Sequence, residues 1–131
     1  MVIADTHIII WDALQPGKLS KKARKEFDKA DNSGGIIFCD ISLWEISMLM
    51  AKKRIEIDIT FTDFIDLVLK TRNYIIQSIT PEIADISTNL ITQKITDPAD
   101  RLISATAISI KAPLITADKN IRASKEIKTI W

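Results

Sequence analysis

The sequence predicts an α/β fold, a parallel sheet with both faces covered by helices, and three observations carry that expectation. Short apolar runs at Met1 to Ala4 and Ile36 to Cys39 read as buried strands, and Tyr74 to Ile79 and Leu114 to Thr116 as a third and a fourth strand. Longer stretches with helical spacing alternate with them, and strand–helix alternation is how parallel strands are connected. The chain holds only 3 Gly and 4 Pro, so few points interrupt regular structure.

In chain order, the first strand ends at Asp5, and Thr6 to Ala13 is helical until Pro16-Gly17 turns the chain. Ser20 caps a second helix, Lys21 to about Ala30, whose Lys21, Lys22, Arg24 and Lys25 line a solvated side. Asn32 to Gly35 is a loop, the second strand follows, and Ser42 caps a third helix running to about Lys53. Ile55 to Ile59 alternates apolar and acidic residues, which fits a short edge strand or an extended connector. Thr60 or Thr62 starts the next helix, with Phe61, Phe64, Ile65, Val68 and Leu69 at helical spacing. After the third strand, Thr80-Pro81 opens another helix by placing a cap before a proline. Asp97-Pro98 repeats the device ahead of a run that is apolar or small on nearly every face, so that helix should be buried. Pro113 precedes the fourth strand, a short helix begins near Asp118, and Ile127 to Trp131 forms a last strand.

At 131 residues the chain is expected to be one domain, long enough to bury a single core. Its 47% hydrophobic and 27% charged residues mark a globular, soluble chain rather than a disordered one. A net charge of +1 gives no global argument for nucleic acid, so such a partner must be sought in local patches. Cys39 is the single cysteine and reads as a buried core thiol, in keeping with a reducing cytoplasm. The N-terminus lacks a basic leader and carries Asp5, so it does not read as a signal peptide. No uncharged apolar run approaches the roughly 18 residues that cross a membrane.

The acids point to chemistry. Asp5 closes the first strand and Asp118 stands two residues beyond the fourth. Glu45 lies in the first turn of the helix after the second strand, and Asp100 in the first turn of the buried helix. All four fall on one rim, the carboxyl ends of the strands, where parallel sheets place their sites. Carboxylates about 4 Å apart at an effective dielectric near ~20 repel by about 4 kcal/mol per pair. A hard divalent cation such as Mg²⁺ or Mn²⁺ removes that cost, and a water it holds can attack a phosphodiester.

Each acid also has a plain structural explanation. Ser42-Leu43-Trp44-Glu45 is a capping box. Asp118 can cap the short helix behind it, and Asp100 can favour a helix N-terminus. Asp5 has no such role unless helix begins directly at Thr6. Asp97, before Pro98, is assigned to capping. Thr6, Ser42 and Thr116 neighbour the acids and either orient waters and ligands or bond the backbone. His7, without a second His or Cys nearby, reads as a structural imidazole. Arg101, Lys119 and Arg122 are placed to hold phosphates near the site, and Trp11, Trp44 and Trp131 read as core or dimer contacts.

The ordered set Asp5-Thr6-His7, Ser42-Leu43-Trp44-Glu45-Ile46, Asp97-Pro98-Ala99-Asp100-Arg101-Leu102-Ile103, Leu114-Ile115-Thr116-Ala117-Asp118 and Ile130-Trp131 resembles the PIN-domain ribonucleases. Within them it is similar to the VapC-type toxins of toxin–antitoxin pairs. The resemblance implies a three-layer α/β/α domain around about five parallel strands in the order 3-2-1-4-5. It also implies Mg²⁺- or Mn²⁺-dependent cutting of RNA that leaves a 5′-phosphate and a 3′-hydroxyl, a cognate VapB-type antitoxin, and a homodimer. Asp5, Glu45, Asp100 and Asp118 match the family's acidic positions. Lys94-Ile95-Thr96 stands where many relatives carry His, Ala99 where many carry Phe, and Leu49 where many carry Lys. None of these departures removes an acid.

The resulting expectation is an endoribonuclease in which Asp5 and Asp100 bind the metal and Asp118 is a further ligand. Glu45 orients or deprotonates the attacking water, while Thr6, Thr116, Arg101, Lys119 and Arg122 contact substrate. A catalytically inactive PIN-fold module that binds protein or RNA is the alternative. A phosphoacceptor domain would need paired acids after the first strand, where Thr6 follows Asp5, and an aspartate after the third, where Ser78-Ile79-Thr80 stands. A two-carboxylate phosphatase would need Asp where His7 stands.

Overall fold

A computed structural model describes residues 1–90 and 94–131. In it β1 (Val2–Ala4), β2 (Ile36–Cys39), β3 (Tyr74–Gln77), β4 (Leu114–Ile115) and β5 (Thr129–Ile130) form one sheet in the order β3-β2-β1-β4-β5. Every pairing is parallel. This is the predicted architecture and strand order. Side chains alternate across a strand, so each strand feeds two cores. Val2, Ala4, Ile36, Phe38 and Ile115 belong to one, Ile3, Ile37, Cys39 and Leu114 to the other.

On the first face lie α1 (Thr6–Leu14), α2 (Lys21–Asp31), α3 (Ile41–Ala51) and α4 (Phe61–Thr71), contributing residues such as Ile8, Ile9, Phe27, Ile46 and Phe64. Ala23, Phe27 and Ala30 make the buried stripe of α2 at four- and three-residue steps. On the second face α6 (Pro98–Ile110) buries Ile103 and Ala107 against the sheet. Its Ala105 meets Ile83 of α5 (Pro81–Asn89). Pro at the first position and a Thr80 or Asp97 cap start both helices, as the sequence predicts. The short α7 (Lys119–Arg122) follows β4.

The differences lie at element ends. β3 stops at Gln77 rather than Ile79, because the Ile79 amide leaves the ladder and donates to Asp40 Oδ2 at 3.2 Å. Residues 55–59 are a connector with no strand, and β4 and β5 are two residues each. Helix α3 begins at Ile41, with Asp40 rather than Ser42 at the cap position and without a side-chain cap bond. Gly35, at φ 97°, turns the loop into β2 within 3.1 Å (from a notional Cβ) of the Asn73 carbonyl, a position no larger residue fits without strain.

Over the first-face core, at Phe27, Arg72 ties three helices together. Its Nε and Nη2 grip both oxygens of Asp12 at 3.1 and 2.9 Å, and its Nη1 reaches Asp31 at 3.1 Å and Asp28 at 3.3 Å. Arg24 adds a second donor to Asp12 at 2.8 Å. The Asp12 side chain is only 5% exposed, so its charge depends on these partners. Arg72→Ala is expected to destabilise the protein by about 2 kcal/mol, less than the full cost of an orphaned buried charge because Arg24 remains. Urea unfolding checks this, and Arg72→Lys should restore little because it lacks the two-pronged grip.

Candidate active site

Strand order reverses direction between β1 and β4: the chain builds outward through β2 and β3, then returns to the other side of β1. Ligands of open parallel sheets bind in the crevice at that switch, beyond the carboxyl ends of the strands. Asp5 directly follows β1, Asp118 follows β4, and Glu45 and Asp100 come from α3 and α6.

Asp5 is 2% exposed. Helix does begin at Thr6, so Asp5 has the capping role: Oδ1 accepts from the Thr6 amide at 2.8 Å. Its other oxygen accepts from the Thr116 hydroxyl at 2.6 Å. Thr116, fully buried, also accepts from the Asp118 amide at 3.0 Å, so one hydroxyl links two of the acids. Asp118 caps α7, its Oδ1 taking the Asn120 and Ile121 amides at 2.8 and 3.0 Å. That bonding leaves Oδ2 for other partners.

On the other side of Asp5, Thr6 donates its single proton to Glu45 Oε1 at 2.5 Å. Ser42, fully buried, lies 2.8 Å from the same Thr6 oxygen and therefore donates to it. The Ser42-to-Glu45 pattern is thus not a capping box. Its three-residue step puts both side chains on one helix face, and that face meets α1 at Thr6. Because α3 starts at Ile41, Glu45 stands in the second turn rather than the first.

Asp100 receives no hydrogen bond to its carboxylate from any described residue, although its amide is capped by Asp97 Oδ1 at 3.0 Å. Burial, then the charges of Asp5, Asp97, Asp118 and Glu45, push its carboxyl up to about 8. Glu45 is raised too, chiefly by burial and against the opposing pull of the Thr6 bond. The four predicted acids therefore feel one another. Asp97 is a neighbour as well as the α6 cap. Among the described residues no three His, Cys, Asp or Glu side chains stand close enough to enclose a metal ion by themselves. An all-oxygen set spread across the crevice suits Mg²⁺, which keeps several waters and uses few carboxylates.

The remaining predicted residues divide. Thr6 and Thr116 are buried and their hydroxyls donate to Glu45 and Asp5, so in this structure they brace acids. Lys119 and Arg122 are exposed beside Asp118, and Arg101 is half-buried beside Asp100. None of the three pairs with an acid among the described residues. Trp11 and Trp131 pack together, with ring centroids 6.0 Å apart. Trp44 is 58% exposed and is not a core residue. Cys39 is buried, its thiol pushed up to about 12 by burial. The bracing by Ser42 was missed because a sequence gives the spacing but not the Thr6 hydroxyl across the interface.

Comparison with known proteins agrees with this geometry. The PIN domain family model matches residues 2–126. The chain is 30% identical over 132 aligned positions to Ribonuclease VapC22 of Mycobacterium tuberculosis, covering 99% of this chain and 98% of that one. Among solved structures, VapBC2 from Rickettsia felis bound to a promoter DNA fragment superposes with a TM-score of 0.75 at 17% identity. That match covers 98% of this chain and 97% of that chain. DNA-bound VapBC from Salmonella typhimurium gives 0.71 at 15% identity, with coverage of 98% and 97%. The structural matches speak for the fold; with the family model and the full-length relative, the chain belongs to the PIN-domain family, among its VapC-type members.

Proposed function

We propose that this protein is a divalent-metal-dependent endoribonuclease toxin that cuts RNA phosphodiesters and is neutralised by a cognate VapB-type antitoxin. The carrying observation is the crevice at the β1–β4 switch, where Asp5, Glu45, Asp100 and Asp118 converge and hydroxyls hold two of them in place. The relative named Ribonuclease VapC22 supports the RNA substrate, and the VapBC neighbours support the antitoxin. No helix among the described residues is long and apolar enough to cross a membrane. A cytoplasmic location belongs to the proposed reading through its RNA substrate, independently of that absence. A homodimer belongs to the same reading, and Ile75 and Ile76, 40% and 48% exposed on edge strand β3, suit such a contact.

Asp5 and Asp100 hold the cation, with Asp118 as a further ligand through its free oxygen. When bound, the cation supplies positive charge against the phosphodiester and acidifies water at the site. Asp5 is held immobile by the Thr6 amide and the Thr116 hydroxyl. Glu45, aimed by Thr6, takes a proton from the attacking water. Arg101, Lys119 and Arg122 position phosphates along the strand.

Purified protein should cleave RNA with Mg²⁺ or Mn²⁺ and leave 5′-phosphates, read by sequencing the new 5′ ends; undiminished cleavage in excess EDTA would sink the proposal. Because Asp100 holds a proton up to about pH 8 in the metal-free protein, cation binding must displace it. Mn²⁺ affinity is therefore expected to rise by up to about tenfold per pH unit below that value and to level off above it. Calorimetry in buffers of different ionisation heat checks this by counting the released proton.

The alternative, a non-catalytic binding module, draws on one observation: no three described ligating side chains already enclose a metal. Absence of saturable Mn²⁺ binding would select it.

A further inference from the structure

We propose that His7 is a positioning residue of this site, holding the turn that carries Asp118 through a ring-nitrogen acceptor; the inference rests on the metal-dependent reading above. The turn beyond β4 has three amides to satisfy. Thr116 donates to the Ile130 carbonyl at 3.2 Å, and Asp118 donates to the Thr116 hydroxyl at 3.0 Å. Between them, the Ala117 amide finds no carbonyl and donates to His7 Nε2 at 3.0 Å. An N–H donor at Nε2 means that this nitrogen carries a lone pair and the proton sits on Nδ1. Nδ1 in turn lies 3.6 Å from Asp5 Oδ2, the oxygen that Thr116 also bonds. One imidazole thus touches both ends of the crevice, with its proton toward Asp5 and its acceptor toward the segment leading to Asp118.

The ring is itself held. Trp11, one helical turn on in α1, packs on it at 4.8 Å between centroids. Trp131 backs Trp11 at 6.0 Å, and Lys18 lies over the Trp11 ring at 5.5 Å. A freely rotating histidine would not fix a turn; one that projects from α1, is packed by Trp11 and meets the β4–α7 connection at Ala117 does. The stack accounts for tryptophans at both ends of the chain without giving either a base-stacking role.

His7→Phe keeps the aromatic packing and deletes the acceptor. His7→Gln deletes the ring but can offer an amide oxygen near the Nε2 position. Mn²⁺ affinity, measured by calorimetry, is expected to fall about tenfold in His7→Phe, as for groups that orient metal ligands, and to recover in large part in His7→Gln. Amide exchange at Ala117 should accelerate in the first variant and slow again in the second. RNA turnover should follow kcat, with KM little changed. A role confined to packing would give the opposite ranking, with Gln worse than Phe in thermal stability and both equal to wild type in Mn²⁺ affinity. Wild-type Mn²⁺ affinity in His7→Phe overturns the positioning role and leaves the nuclease reading intact. Absence of Mn²⁺ binding by the wild type overturns both.

Discussion

Asp100→Asn is expected to cut RNA cleavage by more than about 100-fold, beyond the loss typical of groups that merely orient a ligand, while raising the melting temperature of the metal-free protein. The two effects share a cause. Asp100 is raised from its ordinary 3.8 to about 8 by burial and by Asp5, Asp97, Asp118 and Glu45. A carboxyl raised on folding gives stability that is fully present below its unfolded value and lost as pH rises through its folded value. Between those values the native state must keep a proton that the unfolded chain releases, and above about pH 8 it must carry the buried carboxylate; Asn removes both costs. Partial exposure and screening hold the gain to about 1 kcal/mol, or about 3–6 °C in a domain of this size. The advantage should be largest above about pH 8 and vanish near pH 3.8. Excess Mn²⁺ should reverse the ranking, because the wild type gains about 2.7 kcal/mol at a hundredfold excess over its Kd and the variant does not. Thermal melts with and without Mn²⁺ check this, and a variant that melts lower at pH 8 without metal would contradict it.

Phe27→Ala should be the most damaging change in the core. Phe27 is fully buried, meets Tyr74 edge-on at 6.3 Å, and lies beneath the Arg72 and Arg24 guanidinium groups at 5.3 and 6.0 Å. Truncation opens a cavity under the ion-pair network at about 3–5 kcal/mol, a large share of the roughly 5–15 kcal/mol that holds a domain together. Phe27→Leu should cost less than half as much. Because Phe27 and Arg72 are in contact, Phe27→Ala with Arg72→Ala should cost less than the sum of the two. Urea midpoints measure all four, and a loss below about 1 kcal/mol for Phe27→Ala would mean the core collapses into the space.

The sheet was legible because its inner strands β1, β2 and β4 are so short and apolar that only burial on both sides suits them, and because Ser20, Thr60, Thr80, Asp97 and Asp118 cap the helices they precede. Capping is local, so spacing predicts it. The failures are tertiary. Ser42 matched a capping box, but the Thr6 hydroxyl from another helix took it. Ile79 left β3 for a carboxylate at the end of β2. The Asp5 cap follows from the helix that begins at Thr6, but its second bond, accepted from the Thr116 hydroxyl of a distant segment, does not. The convergence of the acids follows from strand order, which alternation and right-handed crossovers nearly determine. Which of them is left without a hydrogen bond does not.

That difference in bonding makes the acids unequal under selection. Asp5 is a cap, a partner of Thr116 and the neighbour of His7, so most replacements there disturb α1 and the sheet edge together. Asn, itself a good cap, is the main exception. Asp100 carries no such duties. Survivors of forced expression of an active toxin should therefore accumulate soluble, well-folded Asp100 variants, whereas Asp5 lesions other than Asn should be recovered mostly as degraded chains. The pattern of surviving alleles would map which carboxylates belong to the scaffold and which serve only the reaction.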